Sequence, residues 1–309
     1  MMNLLYEIYF AIPNLSSLGL FGKAIDRLFI LALKRIFDLI MPAYYNKTSG
    51  KADFGLNTIP RKESYIVSLT SYPARIDTLW ITIETILRQS FKPDKIILWL
   101  AEEQFPDRKL PESLIKLKLR GLDVEFCEDL KSHKKYFYCL IKYPDSNIIT
   151  LDDDLYYHKD VLKNVVELHK KYPGHITANR AHKITFSNGK INPYRSWKHE
   201  VNDTVPSHLL VATGGAGALY SPGSLHEEVH NKDILQKLCL HADDLWLKVM
   251  ELKNNRKIVT NRKYNKSFAS VGKTQKEKLV SLNVIQGGND EQLNNLLRFY
   301  RIDLLKYLE

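Results

Sequence analysis

Three consecutive carboxylates, Asp152-Asp153-Asp154, follow the run Asn147-Ile148-Ile149-Thr150-Leu151. A β-branched aliphatic stretch reads as a buried strand. The acids then emerge at its C-terminal end, where an open α/β sheet forms its ligand crevice. Packed like charges repel and are costly to desolvate, so a divalent cation is the natural neutraliser. Asp152 and Asp154 leave the strand end on the same side and can converge on one ion, with Asp153 directed away. The competing reading is an acidic turn or a helix N-cap. A second acidic pair, Asp243-Asp244, opens the apolar segment Leu245-Trp246-Leu247-Lys248-Val249-Met250 and has the composition of a helix start.

The elements that must position these acids alternate. Strands are expected at Tyr65 to Leu69, Lys95 to Leu100, Leu122 to Phe126 and Asn147 to Leu151. Helices are expected at Arg75 to Ser90, Pro111 to Leu119, Lys134 to Tyr143 and His158 to Tyr172. Repeated β-α-β units require a parallel sheet with right-handed crossovers, which makes the fold class α/β with a mostly parallel, Rossmann-like central sheet flanked by helices. Beyond Asp154 the pattern weakens. Ile176 to Ala178 and Ile184 to Phe186 read as short strands, Asn188-Gly189 as a turn, and 192–208 as a polar loop around Trp197. Trp246 reads as core at helical spacing. Gly214 to Gly217 lacks the Lys-Ser/Thr of a P-loop and the spacing of a dinucleotide fingerprint.

Residues 1–60 differ from the rest of the chain. Phe21 to Met41 is strongly apolar, with Lys23, Arg27, Lys34 and Asp38 on one narrow helical face, and Pro42 is expected to end this helix. The uninterrupted apolar run Leu28 to Leu33 is far short of the ~20 residues that span a bilayer. Two readings remain open: a helix in the membrane interface, basic residues toward anionic headgroups, or a helix packed on the body or on a second subunit. The expected division is 1–60 as apolar helix and linker, 61–262 as catalytic domain and 263–309 as C-terminal tail. With 45 Lys and Arg against 35 Asp and Glu, the net charge is +10. That balance suits an anionic membrane surface or phosphorylated substrates, and the scattered basic residues match no nucleic-acid-binding pattern. Cys127, Cys139 and Cys239 lie in apolar contexts without metal or redox spacing and read as buried thiols of a reducing compartment. Sequons at Asn14, Asn46, Asn202 and Asn265 carry no meaning without a secretory signal, and none is evident.

Taken in order, four segments resemble the GT-A fold glycosyltransferases, close to the family 2 type of bacterial capsule and surface-polysaccharide synthesis. Ile66-Val67-Ser68-Leu69-Thr70-Ser71-Tyr72-Pro73-Ala74-Arg75 resembles that family's opening strand and nucleotide loop. Leu87-Arg88-Gln89-Ser90-Phe91-Lys92-Pro93-Asp94-Lys95-Ile96-Ile97-Leu98 resembles its Leu-x-Gln-Thr-Tyr-x-Pro segment. Asp152 to Asp154 resembles its DxD motif, and Asp243-Asp244 its acidic base motif.

The resemblance implies an inverting sugar transfer from a nucleoside diphosphate sugar, a UDP-sugar, to a hydroxyl of a lipid-linked or growing surface polysaccharide. The enzyme would work on the cytoplasmic, inner face of the plasma membrane, peripherally attached. It further implies Mn2+ or Mg2+ at Asp152 and Asp154, and nucleotide contacts from Thr70, Ser71, Tyr72, Arg75, Asp152 and Asp153. Gly215 would approach the donor sugar, and Asp244 would be general base with Asp243 beside it. Lys134 and Lys135 precede the acid-bearing strand by one helix. A lysine there can reach a phosphate oxygen, with Lys134 the candidate, against a solvated basic helix end. His241 could complete a metal shell. Trp197 could stack against a sugar face, as could Trp246 against its reading as core. Asn289-Asp290-Glu291 could close the site, against an exposed helix start. Two departures stand out: Glu102 occupies the place of the family's base-binding Asp pair, and Asp243 the place of its usual Glu. The alternatives are a nucleotidyltransferase or phosphotransferase, and an inactive scaffold of a polysaccharide synthesis complex.

Overall fold

A computed structural model of the chain describes residues 2–11, 19–51, 54–201, 203–261, 263–264, 268–272 and 287–308. The sequons at Asn14, Asn202 and Asn265 lie outside these residues. At the N-terminus, α1 (Met2–Ala11) and α2 (Gly19–Thr48) form a helical pair. Pro42 does not end α2, contrary to the sequence expectation. Met41 and Tyr45 are buried on either side of it, so tertiary packing carries the helix through the missing hydrogen bond. Leu33, Phe37, Met41 and Tyr45 bury one face against Tyr6, Tyr9, Ile81 and Tyr156. The segment is thus docked on the body along that face. Among the described residues, no helix is long and apolar enough to cross a membrane.

The central sheet begins with β1 (Tyr65–Thr70), followed by α3 (Ile76–Leu87), β2 (Lys95–Ala101), α4 (Glu112–Lys118), β3 (Leu122–Cys127), α5 (Lys134–Lys142) and β4 (Asn147–Thr150). These four strands are parallel in the order β3-β2-β1-β4. Ile66, Val67, Leu69, Ile96 to Ala101, Ile148 and Ile149 are buried, as both faces of a helix-covered parallel sheet require. The chain lays strands outward from β1 in one direction, then returns to place β4 on its other side. That reversal is the topological switch of a doubly wound sheet, and it opens a crevice beyond the carboxyl ends of β1 and β4.

The second half is mixed. α6 (Val161–Lys171) leads to β5 (Ile176–Ala178), then to the short strands β6 (Ala181–Lys183), β7 (Phe186–Ser187), β8 (Lys190–Ile191), β9 (Lys198–Val201) and β10 (Leu210–Ala212). β10, β6 and β9 form a small antiparallel sheet beside the large one. Asn188 and Gly189 sit at φ 51° and 70° in the β7–β8 hairpin, the backbone that a tight two-residue turn demands. The strand expected at Ile184 to Phe186 is displaced: Ile184 is buried between β6 and β7 without joining either. The expected loop 192–208 contains β9. β11 (Ala218–Tyr220) returns antiparallel between β4 and β5, followed by α7 (Lys232–Leu238), α8 (Asp243–Lys253) and β12 (Ile258–Thr260), the last parallel to β5. α9 (Gly288–Tyr300) packs Leu293, Leu296 and Leu297 into the cluster around Trp246 and Met250. The three cysteines are free and buried.

Candidate active site

Both walls of the crevice come from strand ends. After β1 the chain turns through Ser71 and Tyr72 into α3, and Arg75 precedes that helix. After β4 it runs directly into the acid triplet. Asp153 accepts hydrogen bonds from Ser71 Oγ at 2.6 Å and Arg75 Nη1 at 2.5 Å. Asp154 lies 3.2 Å from Arg75 Nη2. The Arg75 guanidinium sits over the Tyr72 ring at 5.3 Å. Thr70 instead directs its hydroxyl into the sheet, donating to Trp99 O at 2.8 Å.

The glycine-rich segment between β10 and β11 closes the crevice from the other side. Tyr157 binds the two segments together: its hydroxyl accepts from Asp152 N at 2.8 Å and donates to Gly215 O at 2.5 Å. A Cβ on Gly215 would lie 1.9 Å from Asp152 Oδ2, so only glycine permits this approach. Asp244 Oδ1 accepts from Gly214 N at 2.9 Å. The N-cap of α8 is Ala242, so Asp243 and Asp244 occupy the first turn instead of capping it. The N-terminal end of a helix dipole favours their ionised forms.

Lys135 unites the two acid groups. Its Nζ stands 3.0 Å from Asp152 Oδ1 and 2.8 Å from Asp243 Oδ2, in a residue only 5% exposed. Burial opposes its charge, but Asp152, Asp243 and Asp244 outweigh burial and raise its pKa. Burial likewise opposes ionisation of Asp243, yet Lys135 and then His133 hold that carboxyl below the usual range. Asp244 behaves oppositely. Burial, then the Asp243 charge, push it up to about 7. Asp154 is pushed up to about 7 by burial despite Arg75. Paired acids with separated affinities for protons are the arrangement that acid–base chemistry uses.

Other residues named from the sequence fall elsewhere. Lys134 is buried in an ion pair with Asp129, its ammonium turned from the acids. Glu102 lies in the turn after β2, half-exposed and paired with Arg108. Trp197 is core: it donates from Nε1 to Asn192 O at 2.8 Å and packs on Tyr194 at 4.7 Å. Asn289-Asp290-Glu291, which the sequence offers as an exposed helix start or as a segment closing the site, lies in the first turn of α9 with Asn289 buried. Asp290 accepts from Tyr194 N at 2.7 Å and Gln292 from His241 N at 2.9 Å, which brings α9 to the rim of the site. Tyr157, and the role of Lys135 over its neighbour, do not emerge from the sequence. One signal for Lys135 exists, since it precedes the buried Cys139 by four residues on one helix face.

Among the described residues, no group of three His, Cys, Asp or Glu side chains is arranged to hold a metal ion. Asp152 and Asp154 nevertheless offer hard carboxylate oxygens of the kind Mg2+ and Mn2+ take. Mg2+ is commonly bound through one or two carboxylates, with substrate phosphates and water completing the shell. The Asp152 side chain is 40% exposed and open to such a partner.

No family model matches the chain, and no curated protein matches it. Solved structures similar to it include a mannosyltransferase from Pyrobaculum calidifontis in complex with GDP-Man and Mn2+, at 12% identity and TM-score 0.48, covering 89% of this chain and 75% of that one. A cytidylyltransferase from Leptospira borgpetersenii serovar Hardjo-bovis is similar at 12% identity and TM-score 0.41, over 76% of this chain and 98% of that one. Glucosyl-3-phosphoglycerate synthase from Mycobacterium tuberculosis, in complex with Mn2+, UDP-glucose and phosphoglyceric acid, is similar at 11% identity and TM-score 0.29, over 41% and 51%. At these identities and scores the likeness bears no weight for function, which rests on the geometry of the site.

Proposed function

We propose that the protein is a glycosyltransferase of the GT-A type that moves a sugar from a nucleoside diphosphate donor to an acceptor hydroxyl with inversion. Residues 61–262 would be the catalytic domain, with 1–60 and 263–309 as flanking parts. The observation that carries this reading is the meeting of two acid groups at one crevice, joined by the buried Lys135. Such a transfer must stabilise a departing diphosphate and remove a proton from the attacking hydroxyl.

The cationic requirement falls to Arg75 and Lys135, which flank the triplet. Asp152 and Asp154 would hold Mn2+ or Mg2+, which supplies Lewis-acid neutralisation of the diphosphate when bound. Ser71 and Arg75 fix Asp153 and so shape the nucleotide loop. Asp244 would be the base. Gly214 N holds one of its oxygens, leaving the other for the acceptor, and a carboxyl near neutrality is matched to its task. Asp243, committed to Lys135, positions that cation. In-line attack opposite the leaving group inverts the anomeric centre. The acceptor class is a lipid-linked or growing surface polysaccharide, reached from the inner face of the plasma membrane, in keeping with the net charge of +10.

The test is a panel of nucleotide sugars incubated with Mn2+, read as release of nucleoside diphosphate. One donor should be hydrolysed slowly, and Asp154→Ala should abolish the release. Pyrophosphate released from a nucleoside triphosphate, with no sugar nucleotide turned over, would instead identify a nucleotidyltransferase.

A further inference from the structure

Besides the apolar face that α2 buries on the body, the helix engages two of its charged side chains inward and leaves large apolar ones exposed. Lys34 turns inward, donating from Nζ to Ser270 Oγ at 2.7 Å. Asp38 also turns inward, accepting from Gly272 N at 2.7 Å and Tyr156 OH at 3.0 Å. The outer face carries Phe21, Leu28 and Leu39, exposed by 75%, 68% and 76%, with Phe29, Leu31 and Ile36 beside them. Leu4 and Ile8 of α1 are exposed as well. At 1.5 Å per residue, Phe21 to Leu39 spans roughly 27 Å. Contiguous apolar surface of this length marks an interaction site.

We propose that this face docks the enzyme on an anionic membrane surface, with α2 lying in the plane of the interface. Charge selects the occupant. Arg27, Arg35 and Lys47 are exposed along α2, whereas Asp38 is engaged inward and Asp26 is half-buried. Glu7 of α1 is the exposed acid of the pair of helices. An apolar face with Arg27 at its edge and Arg35 within it, one turn from Leu31 and Leu39, complements anionic headgroups and the acyl boundary beneath them. Two copies of a chain with net charge +10 would instead bring like charge together. Packing of Leu33, Phe37, Met41 and Tyr45 on the body fixes the helix on its side, so it lies on the bilayer and does not cross it.

The same helix touches the catalytic loop from behind. The segment 269–272 bridges them: Val271 N donates to Asp154 O at 2.7 Å, and Tyr156 N donates to Ala269 O at 2.9 Å. Docking therefore places the lipid surface on the side of α2 away from the 269–272 segment that backs the acid triplet. The docking surface goes beyond the catalytic reading. Only its use, to meet a lipid-borne acceptor, rests on that reading.

The experiment uses the full chain carrying Leu39→Cys labelled with an environment-sensitive fluorophore, the three native thiols being buried. Vesicles of phosphatidylcholine with phosphatidylglycerol should shift emission to the blue and carry the protein down on sedimentation. Phosphatidylcholine alone should do so at least about tenfold less well. Arg27→Glu with Arg35→Glu should erase the preference, and Leu28→Glu should lower binding in either vesicle. Donor hydrolysis in solution should be unchanged in these variants, so failure of docking and failure of the catalytic reading are read separately. A blue shift without lipid overturns the proposal: one that grows with protein concentration identifies a second copy, and one independent of it a covering by the chain itself. Absence of any shift with anionic vesicles overturns it equally.

Discussion

Asp152 and Asp243, from opposite halves of the chain, are held on one ammonium: Lys135 Nζ lies within 3.0 Å of the first and 2.8 Å of the second. One acid ends a strand and the other starts a helix, so their meeting is a product of tertiary structure. The buried cation makes that meeting tolerable, since an uncompensated pair of carboxylates would be strongly destabilising. In the proposed reaction the same cation stands beside the departing diphosphate.

Replacing Lys135 should therefore damage activity more than stability can explain. Lys135→Met is expected to reduce kcat by about 10²–10³, the scale of losing one preorganised electrostatic group. Lys135→Arg should recover part of it. The neighbouring Lys134→Met, which leaves Asp129 without its buried partner, should lower the melting temperature with kcat intact. Equal activity losses in the two methionine variants, at equal melting temperature, would remove Lys135 from the site.

The glycine segment gives a graded pair. In Gly215→Ala the new methyl meets Asp152 Oδ2 at 1.9 Å, and the carboxylate must leave its place. In Gly214→Ala the nearest atoms, Thr150 Oγ1 and Asp244 Oδ1, lie at 3.0 and 3.2 Å, which small shifts can relieve. A misplacement of catalytic groups by about 1 Å costs on the order of 10²-fold. Gly215→Ala should lose about that much in kcat, and Gly214→Ala clearly less, with far-ultraviolet circular dichroism unchanged in both. The reverse order would show that Asp152 does not need its present position.

How much of this was legible in the sequence differs by region. The β-α-β half was readable because its strands are unbroken apolar runs separated by turn residues, a pattern that buried parallel strands produce directly. The acids were readable because their type and their place at a strand end both point to the crevice. Lys135 against Lys134 was not, since both are buried, adjacent helical residues differ by roughly 100° in direction, and only the docked helix fixes which one meets Asp152 and Asp243. Pro42 misled for a related reason: burial of Met41 and Tyr45 overrides a local helix breaker. The direction of α2 was also hidden. Its polar stripe is visible in the sequence, but that Lys34 and Asp38 find partners at Ser270, Gly272 and Tyr156 depends on chain brought from the far end. The same distance kept Asp290 and Gln292 from being seen as partners of Tyr194 and His241.

Asp244 links activity to pH and stability in opposite senses. Its carboxyl is pushed up to about 7 by burial and by Asp243, so the base is formed as pH rises through neutrality and transfer should rise with it. The folded-state pKa lies above the unfolded value, so the native chain holds a proton that the unfolded chain releases. Native stability is then greatest below about pH 4 with respect to this group and declines as pH rises to 7. Asp244→Asn should abolish transfer yet raise stability at pH 8 relative to pH 5, by on the order of a few kcal/mol at most. Urea unfolding at the two pH values reads this directly. A variant less stable than the parent at pH 8 contradicts the assignment of Asp244 as a strained carboxylate.

One helical turn beyond Asp244, Lys248 and Glu251 form an ion pair at 3.2 Å with side chains 0% and 1% exposed. Burial drives both toward neutrality, lowering the pKa of Lys248 and pushing that of Glu251 up to about 7. The pair is close to break-even as it stands, because desolvation consumes most of the attraction. Removing one partner is different. Lys248→Met leaves Glu251 alone among core residues and should cost about 3–5 kcal/mol in urea unfolding. The loss should deepen as pH rises, since ionising the stranded carboxyl has no compensating cation. Lys248→Met combined with Glu251→Leu should restore most of the lost stability, because α8 then packs as an apolar helix against the core. If the double variant is as unstable as the single one, the pair contributes net stability and the break-even account of it fails.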